Sequence, residues 1–457
     1  MLDKNKITIL CKVVDNFGDI GVVYRLARAL SDLRPELELT LVVSNLESFH
    51  KMASQIDPSK KIQDFRYKNS TWKILDWNLE TENLQGATAS PSGVPPFADA
   101  HSLTATSGLH TLAQSSSSQP QSSTLSFQFS IILECFQCGR PDWLENQLFS
   151  PEFTDTVQII QIDYLTAEEY ADEFHLLKSG TRKTNIKKIF FMPGFTEKTA
   201  GLIINEIKNF RDAPALPSDL TPSADSHSIT TSAGFHQIRR NDSKSSEEAC
   251  DKNGSENPKK YFSILFFAYE DDCTSIVKGI SDFQDKIREK DDNFSVRVFL
   301  TEGKSCIPFE KSWEKANSPF EIEKLPFLQQ EEFDYFITTM DFLFVRGEDS
   351  LARAALCGLP YVWQAYKQDE NYQLVKVNAL IDRMKEYFEP EIFAPIQSFW
   401  QSYNDYENPT KSEPLTQMLS DTLNQKNTKG FRDFAAKLHE NGNLATHLLN
   451  YIDGLDI

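Results

Sequence analysis

The chain has 457 residues and a formal net charge of −19, and 40% of its residues are hydrophobic and 25% charged. This length is more than one hydrophobic core normally organises, and the balance of apolar and charged residues is typical of globular domains. The negative charge argues against nucleic acid or an anionic membrane as a partner, because binding either requires basic patches.

The first residues and the cysteines indicate a cytoplasmic protein. Charged residues interrupt the N-terminal apolar run, so we expect no signal peptide, and the longest apolar stretch, residues 261–269, is too short to span a bilayer. The seven cysteines are scattered and odd in number. Cys135 and Cys138 form a C-x-x-C pair without a second pair or a nearby histidine. Reduced thiols are therefore the better interpretation, and a zinc site is the weaker alternative.

Alternating strand and helix patterns predict a first Rossmann-like domain at residues 1–211. Apolar positions recur at helical spacing from Ile20 to Leu30, and Ser44 or Asn45 can cap a second helix. Continuous apolar, β-branched runs predict buried strands. These strands lie at residues 6–14, 37–43, 130–136 and 157–162.

The same alternation predicts a second Rossmann-like domain at residues 259–430, followed by C-terminal helices at 431–457 that we expect to pack back on the first domain. Strands are predicted at residues 261–268, 294–300, 320–325, 341–345 and 361–363. Helices are predicted at residues 275–287, 331–340 and 350–356, and Gly358 closes the last of these.

Two segments interrupt these patterns. Residues 82–124 and 212–258 are rich in Ser, Pro and Asn and lack periodic apolar positions. A segment of this composition cannot bury enough apolar surface to offset its chain entropy, so we predict disordered insertions. The second insertion lies where a linker between the two domains is expected.

Repeated strand–helix units imply right-handed crossovers and parallel sheets. Ligands of open α/β sheets bind beyond the carboxyl ends of the strands. The sequence therefore predicts an α/β protein whose two Rossmann-like domains face a central cleft.

The turn after the first strand carries two carboxylates, Asp15 and Asp19, but only two glycines, Gly18 and Gly21. A turn that holds a phosphate needs the glycines of G-x-G-x-x-G, and carboxylates would repel the anion. Two carboxylates suit a general base or a clamp for a cationic substrate. The alternative is that both only cap the turn and the helix N-terminus, where negative charge is favoured.

A second strand–turn–helix lies at residues 341–360, where Arg346-Gly347 is followed by Glu348-Asp349-Ser350. A helix N-terminus can bind a diphosphate without a metal ion, and Arg346 can pair with phosphate as a planar fork. Ser350 is a candidate N-cap, and the two carboxylates can accept hydrogen bonds from sugar hydroxyls. The alternative is a capping box with a surface salt bridge.

Two aromatic segments, residues 189–195 and 326–333, can supply the flat apolar partner and the amide that a thymine or uracil ring requires. The candidates are Phe195, or Phe333 with Gln330. Taken alone, each segment is more often part of a hydrophobic core. No catalytic triad or D-x-D motif suited to a metal-dependent site stands out, although Asp271-Asp272 is a remote candidate for a metal.

Together these motifs resemble the protein-arginine rhamnosyltransferase family that modifies bacterial translation elongation factor P, often called EarP. Residues 11–28 match its N-terminal signature except that Tyr24 replaces Trp. Further matches lie at residues 344–354 (FVRGEDSLARA), 193–202, 326–334 and, more weakly, 134–141. The chain departs from the family pattern at Ala200, which replaces Gly, at Gln373, where His is expected, and in the two insertions.

The resemblance implies a GT-B glycosyltransferase. It implies that rhamnose passes from dTDP-β-L-rhamnose to one arginine of elongation factor P. Transfer inverts the anomeric centre to give α-rhamnosyl-arginine, and it activates the factor for ribosome rescue at polyproline stretches. No cofactor and no metal are implied.

The resemblance also implies roles for individual residues. Asp15 and Asp19 flank the acceptor guanidinium, with Asp19 the candidate base, and Glu348 completes the catalytic set. The implied donor-binding residues are Phe17, Gly18, Phe191, Phe195, Tyr269, Gln330, Phe333, Arg346, Gly347, Glu348, Asp349 and Ser350.

Other functions remain open at this point. One is a GT-B enzyme with another acceptor or another nucleotide sugar, and a second is a sugar-nucleotide epimerase. A third is a non-catalytic protein that binds a nucleotide sugar. Such a binding protein has no need of Asp15 and Asp19, so the presence of both carboxylates favours an enzyme.

Overall fold

The computed structural model describes residues 2–14, 17–79, 128–205 and 259–455. Asp15 lies outside these residues, as do the segments 82–124 and 212–258 that were predicted to be disordered. The chain forms two compact units. The first unit comprises Met1–Tyr164, Asp172–Pro193 and Ala445–Ile457, and the second comprises Leu165–Ala171 and Gly194–Leu444.

The boundaries of the units differ from the predicted domain boundaries at residues 1–211 and 431–457 in two places. Backbone pairing joins Thr166 to Gly194 and Leu202 to Asn443, so both segments around residues 166 and 202 belong to the second unit. Only the last helix belongs to the first unit, where Arg34 donates a 3.0 Å hydrogen bond to the Asp453 carboxylate.

The first unit is built on an eight-stranded sheet with the order β3-β4-β2-β1-β5-β6-β8-β7. Its strands are β1 (Lys6–Cys11), β2 (Glu38–Val43), β3 (Ile62–Tyr67), β4 (Ser70–Asp76), β5 (Ile131–Cys135), β6 (Val157–Ile162), β7 (Lys178–Ser179) and β8 (Ile186–Phe191). The six central strands run parallel, and the two edge strands β3 and β7 are antiparallel to their neighbours. The parallel order confirms the predicted Rossmann-like sheet. Four strands of this sheet, β3, β4, β7 and β8, were not predicted.

The second unit has a five-stranded, wholly parallel sheet with the order β11-β10-β9-β12-β13. Its strands are β9 (Lys260–Phe266), β10 (Phe294–Thr301), β11 (Glu321–Leu325), β12 (Phe342–Arg346) and β13 (Tyr361–Gln364). Each one matches a predicted strand to within a few residues. The two sheets confirm the predicted fold class, α/β with two Rossmann-like domains of the GT-B type.

Helices flank both sheets. In chain order they are α1 (Gly18–Leu33), α2 (Leu46–Met52), α3 (Asp142–Phe149), α4 (Tyr170–Phe174), α5 (Thr274–Arg288), α6 (Cys306–Lys315), α7 (Gln330–Ile337), α8 (Gly347–Cys357), α9 (Tyr372–Met384), α10 (Pro390–Tyr403), α11 (Ser412–Leu423), α12 (Thr428–Glu440) and α13 (Leu444–Asp453). Asn45 caps α2 by accepting a hydrogen bond from Ser48 N, as predicted. Gly358 ends α8 in the left-handed conformation, at φ 69°.

The described residues contain no group of three or more His, Cys, Asp or Glu side chains that could hold a metal ion. Cys135 and Cys138 are free thiols. Burial, with the Glu134 charge as the next cause, raises the pKa of the Cys138 thiol to about 12. Over the same residues, no helix has the length and apolar character needed to cross a membrane.

Candidate active-site residues

The acidic turn, residues 12–19, joins β1 to α1 in the first unit. Its strand ends at Cys11, before the predicted end at Val14, whose side chain is 79% exposed. Asp19 lies in the first turn of α1 and is only 4% exposed. Its Oδ2 accepts a 2.7 Å hydrogen bond from Val14 N, and its Oδ1 accepts one of 3.4 Å from the Tyr164 hydroxyl. The Asp19 carboxylate therefore reaches back over the turn and is held on both oxygens.

Phe17 and Gly18 of the acidic turn lie nearer the surface than Asp19. Gly18 is the exposed first residue of α1, and Phe17 precedes it without a side-chain hydrogen bond to cap the helix. The Lys51 ammonium lies 5.5 Å from the centre of the Phe17 ring. Burial, and then the Asp19 charge, raise the pKa of the neighbouring Cys11 thiol.

The arginine turn, residues 344–350, joins β12 to α8 in the second unit. The helix begins at Gly347, so the predicted start at Ser350 is wrong. Ser350 lies within the helix, and its hydroxyl donates to the Arg346 carbonyl rather than capping the N-terminus. Gly347 has φ 64°, which favours glycine, and its carbonyl accepts a 2.9 Å hydrogen bond from Trp363 Nε1.

The Arg346 guanidinium lies close to two aromatic rings. Its Cζ lies 4.8 Å from the centre of the Phe267 ring and 4.6 Å from that of Tyr269. The buried Nε has no hydrogen-bond partner, and among the described residues no carboxylate forms an ion pair with Arg346. A positioned cation without a protein anion beside it is suited to binding an anionic ligand.

The two carboxylates of the arginine turn have different neighbours. Glu348 Oε2 accepts a 2.9 Å hydrogen bond from Leu165 N. Asp349 Oδ1 lies 3.9 Å from Arg353 Nε, one helical turn away. Arg353 is 4% exposed and also donates to the Ile203 carbonyl, which ties α8 to that segment. The alternative of a surface salt bridge is wrong, because the cation of this pair is buried.

An aromatic cluster surrounds Arg346. The Phe333 ring lies 5.8 Å from that of Phe267, and the Tyr269 ring lies 5.5 Å from that of Tyr366, which is 65% exposed. Gln330 is the first residue of α7, the helix that carries Phe333. The structure thus places Tyr269 directly beside Arg346, and it connects Phe333 to Arg346 through Phe267.

Phe191 and Phe195 are both buried, at 1% and 5% exposure. Phe191 ends β8 in the first unit, where its ring lies 4.9 Å from that of His175. Phe195 belongs to the second unit and stacks on Phe434 at 6.3 Å. Their contacts are those of core residues, and contact with a nucleotide stays a prediction for both.

The two Rossmann-like sheets, with a carboxylate turn on one and a cationic helix start on the other, are those of a GT-B glycosyltransferase. The chain belongs to the family described as Elongation-Factor P (EF-P) rhamnosyltransferase EarP, whose model matches residues 7–94 and 95–453. The predicted resemblance is therefore confirmed, and so is the prediction of an enzyme.

The chain is similar to named proteins over most of its length. A "Protein-arginine rhamnosyltransferase" of Shewanella oneidensis is 26% identical over 398 residues, which cover 84% of this chain and 82% of the relative. A protein of the same name from Pseudomonas putida is 24% identical over 87% of this chain and 86% of its own length. The solved structure "Structural basis for EarP-mediated arginine glycosylation of translation elongation factor EF-P" aligns over 98% of this chain and 99% of its own, with 17% identity and a TM-score of 0.47.

Proposed function

We propose that this enzyme transfers L-rhamnose from dTDP-β-L-rhamnose to one arginine of elongation factor P, with inversion at the anomeric carbon. Family membership supports the sugar and the acceptor protein. The observation on this chain that carries the proposal is the Arg346 guanidinium, which lies over two aromatic rings without a carboxylate partner among the described residues. A nucleotide sugar supplies the anion that such a cation requires.

The donor diphosphate binds at the arginine turn in this proposal. The N-terminus of α8 presents backbone N–H groups and the positive end of the helix dipole beside the Arg346 fork. Phe333, Tyr269 and Gln330 provide aromatic faces and an amide for the thymine. Glu348 and Asp349 accept hydrogen bonds from the hydroxyls of the sugar.

The acceptor arginine binds at the acidic turn. Asp19 is the general base, and Asp15 orients the guanidinium plane. An attacking guanidinium nitrogen forms a bond to the anomeric carbon as the bond from that carbon to the diphosphate oxygen breaks. Asp19 takes the nitrogen proton, and dTDP leaves with its negative charge stabilised by Arg346. A single displacement of this kind converts the β-linked donor into an α-linked product. We place the reaction in the cytoplasm, because the acceptor is a translation factor.

Mass spectrometry of elongation factor P tests the proposal directly. After incubation with the enzyme and dTDP-β-L-rhamnose, we expect the mass of one deoxyhexose on a single arginine. Omitting the donor, and replacing the acceptor arginine by lysine, are the controls, because a point charge cannot fill a site built for a planar fork. Modification only from another nucleotide sugar, or only on another protein, would favour the alternative acceptor or donor. Nucleotide binding without any transfer would favour a binding protein.

We further predict that transfer does not need a metal ion. The leaving diphosphate is neutralised by the Arg346 guanidinium and the N-terminus of α8, which supply the positive field that a divalent ion supplies in other sites. Transfer rates measured with and without excess chelator should agree within about twofold. Loss of transfer in chelator, with recovery on adding magnesium or manganese, would contradict this arrangement.

A further inference from the structure

Tyr164 donates one of the hydrogen bonds that hold the Asp19 carboxylate. It follows β6 in the first unit and is partly exposed. Its hydroxyl donates to Asp19 Oδ1 at 3.4 Å, while Val14 N donates to Oδ2 at 2.7 Å. The hydroxyl therefore helps to fix the direction of the oxygen that the Val14 N–H does not contact.

Tyr164 is itself held from two sides. Its ring stacks on that of Phe136, with centres 4.8 Å apart and planes 23° from parallel. Its backbone N–H donates to Asp163 Oδ1 at 2.8 Å. Gln137 Nε2 donates to both oxygens of the same carboxylate, at 3.2 and 3.0 Å. The ring and the backbone of Tyr164 therefore have fixed positions that do not depend on its hydroxyl.

The support for Tyr164 uses backbone in an uncommon conformation. Phe136 and Gln137 are consecutive non-glycine residues with φ of 59° and 53°. Left-handed residues other than glycine are uncommon and persist where the surrounding structure requires them. Both lie within the motif at residues 134–141, to which the reaction proposed above assigns no role. In the structure this motif places the Phe136 ring under Tyr164 and the Gln137 amide on Asp163.

We propose that Tyr164 is a positioning residue for arginine glycosylation, which acts by holding the Asp19 carboxylate towards the acceptor guanidinium. This proposal rests on the function proposed above, in which Asp19 is the base. A carboxylate oxygen has two lone pairs, so Oδ1 can accept from Tyr164 and still take a proton. Displacing a reacting group by about 1 Å can cost about 10²-fold in rate, which gives the orientation of Asp19 a direct effect on turnover.

The test is Tyr164→Phe, which keeps the stacked ring and removes only the hydroxyl. We expect kcat to fall about tenfold, which is less than the roughly 10²-fold loss for a base displaced by about 1 Å. The KM for dTDP-β-L-rhamnose should stay unchanged, because the donor is held by the other unit. A loss that came from damaged folding would affect both constants and the melting temperature.

Tyr67→Phe is the matched control. The Tyr67 hydroxyl also donates to an aspartate carboxylate of the first unit, Asp32 Oδ2 at 3.1 Å, but that pair lies at the far end of α1. Both variants lose one tyrosine–carboxylate hydrogen bond, so their melting temperatures should fall alike. Only Tyr164→Phe should lose turnover.

Combining the variants shows whether Tyr164 acts through Asp19. In the Asp19→Asn background the base is absent, so adding Tyr164→Phe should cause no further loss. Multiplied losses in the double variant, or a wild-type kcat for Tyr164→Phe alone, would overturn the positioning role while leaving the proposed function in place. A wild-type enzyme that transfers no rhamnose would instead overturn the proposed function, and the positioning role with it.

Discussion

Asp19→Asn will lower turnover on elongation factor P by about 10²–10⁴-fold without weakening the binding of dTDP-β-L-rhamnose. A guanidinium has a pKa above about 12, so its nitrogens remain protonated and cannot attack carbon unless a proton is taken as the bond forms. Asparagine keeps the size of the side chain and can accept the Val14 hydrogen bond, but it cannot take that proton. Steady-state kinetics measure the loss, and calorimetry with the donor measures binding.

Asp32→Asn is the control for this variant. Asp32 lies on the same helix as Asp19 and accepts hydrogen bonds from Tyr67 and Lys68, so its replacement also removes a paired carboxylate. We expect normal turnover from it. Asp15→Asn should be measured beside both, because a larger loss there would exchange the proposed roles of Asp15 and Asp19. Near-normal rates for Asp19→Asn, or weaker donor binding, would show that the acidic turn does not hold the nucleophile.

Arg346→Ala will raise the Kd for dTDP by about 10–100-fold. The lost interactions are charge-assisted hydrogen bonds to the diphosphate, which contribute about 1.5–3 kcal/mol. Because the guanidinium also packs over the Phe267 and Tyr269 rings, the variant should be checked by melting temperature. Calorimetry with dTDP measures the effect without needing the acceptor. The Kd of Arg346→Lys for dTDP should lie between the values for wild type and Arg346→Ala. Lysine keeps the positive charge but lacks the planar guanidinium that can pair with two phosphate oxygens.

Arg297→Ala is the matched control for the donor site. Arg297 also lies over an aromatic ring of the second unit, with its Cζ 3.9 Å from the centre of the Tyr261 ring. Unlike Arg346, it is already paired with a carboxylate, Glu321 at 3.0 Å. Its replacement should therefore leave the Kd for dTDP unchanged. Equal affinities of wild type and Arg346→Ala for dTDP would contradict the proposal that the diphosphate binds at the arginine turn.

The sequence predicted those strands that are buried on both faces. β12 is a continuous apolar run from Phe342 to Val345 with each of these residues buried, a pattern that identifies a central parallel strand. The hairpin β3–β4 was missed because β3 lies at the sheet edge, where IQDFRY exposes alternate polar residues. Three helices, α9, α10 and α11, were also missed, although the buried residues Val377, Leu380, Ile381 and Met384 of α9 recur at helical spacing.

The residues of the candidate site also fall into two groups. Some belong to a local sequence pattern, and others come together only in the folded chain. Arg346, Glu348 and Asp349 were found because a turn between strand and helix is a local pattern. Tyr164 could not be found in this way, since it is separated from Asp19 by 145 positions and is brought to it only by the order of strands in the sheet. Phe267 had a local signal, since it lies in the same turn as Tyr269.

The position of α13 affects how the protein is made. This last helix belongs to the first unit, where Asp453 accepts hydrogen bonds from Arg34 and Lys4. A ribosome synthesises the first strands of that unit before the whole sheet of the second unit, and α13 after it. The second unit can thus acquire all of its own strands before α13 is made. The first unit lacks one of its helices until that point, so its folding ends after that of the unit that follows it in the chain.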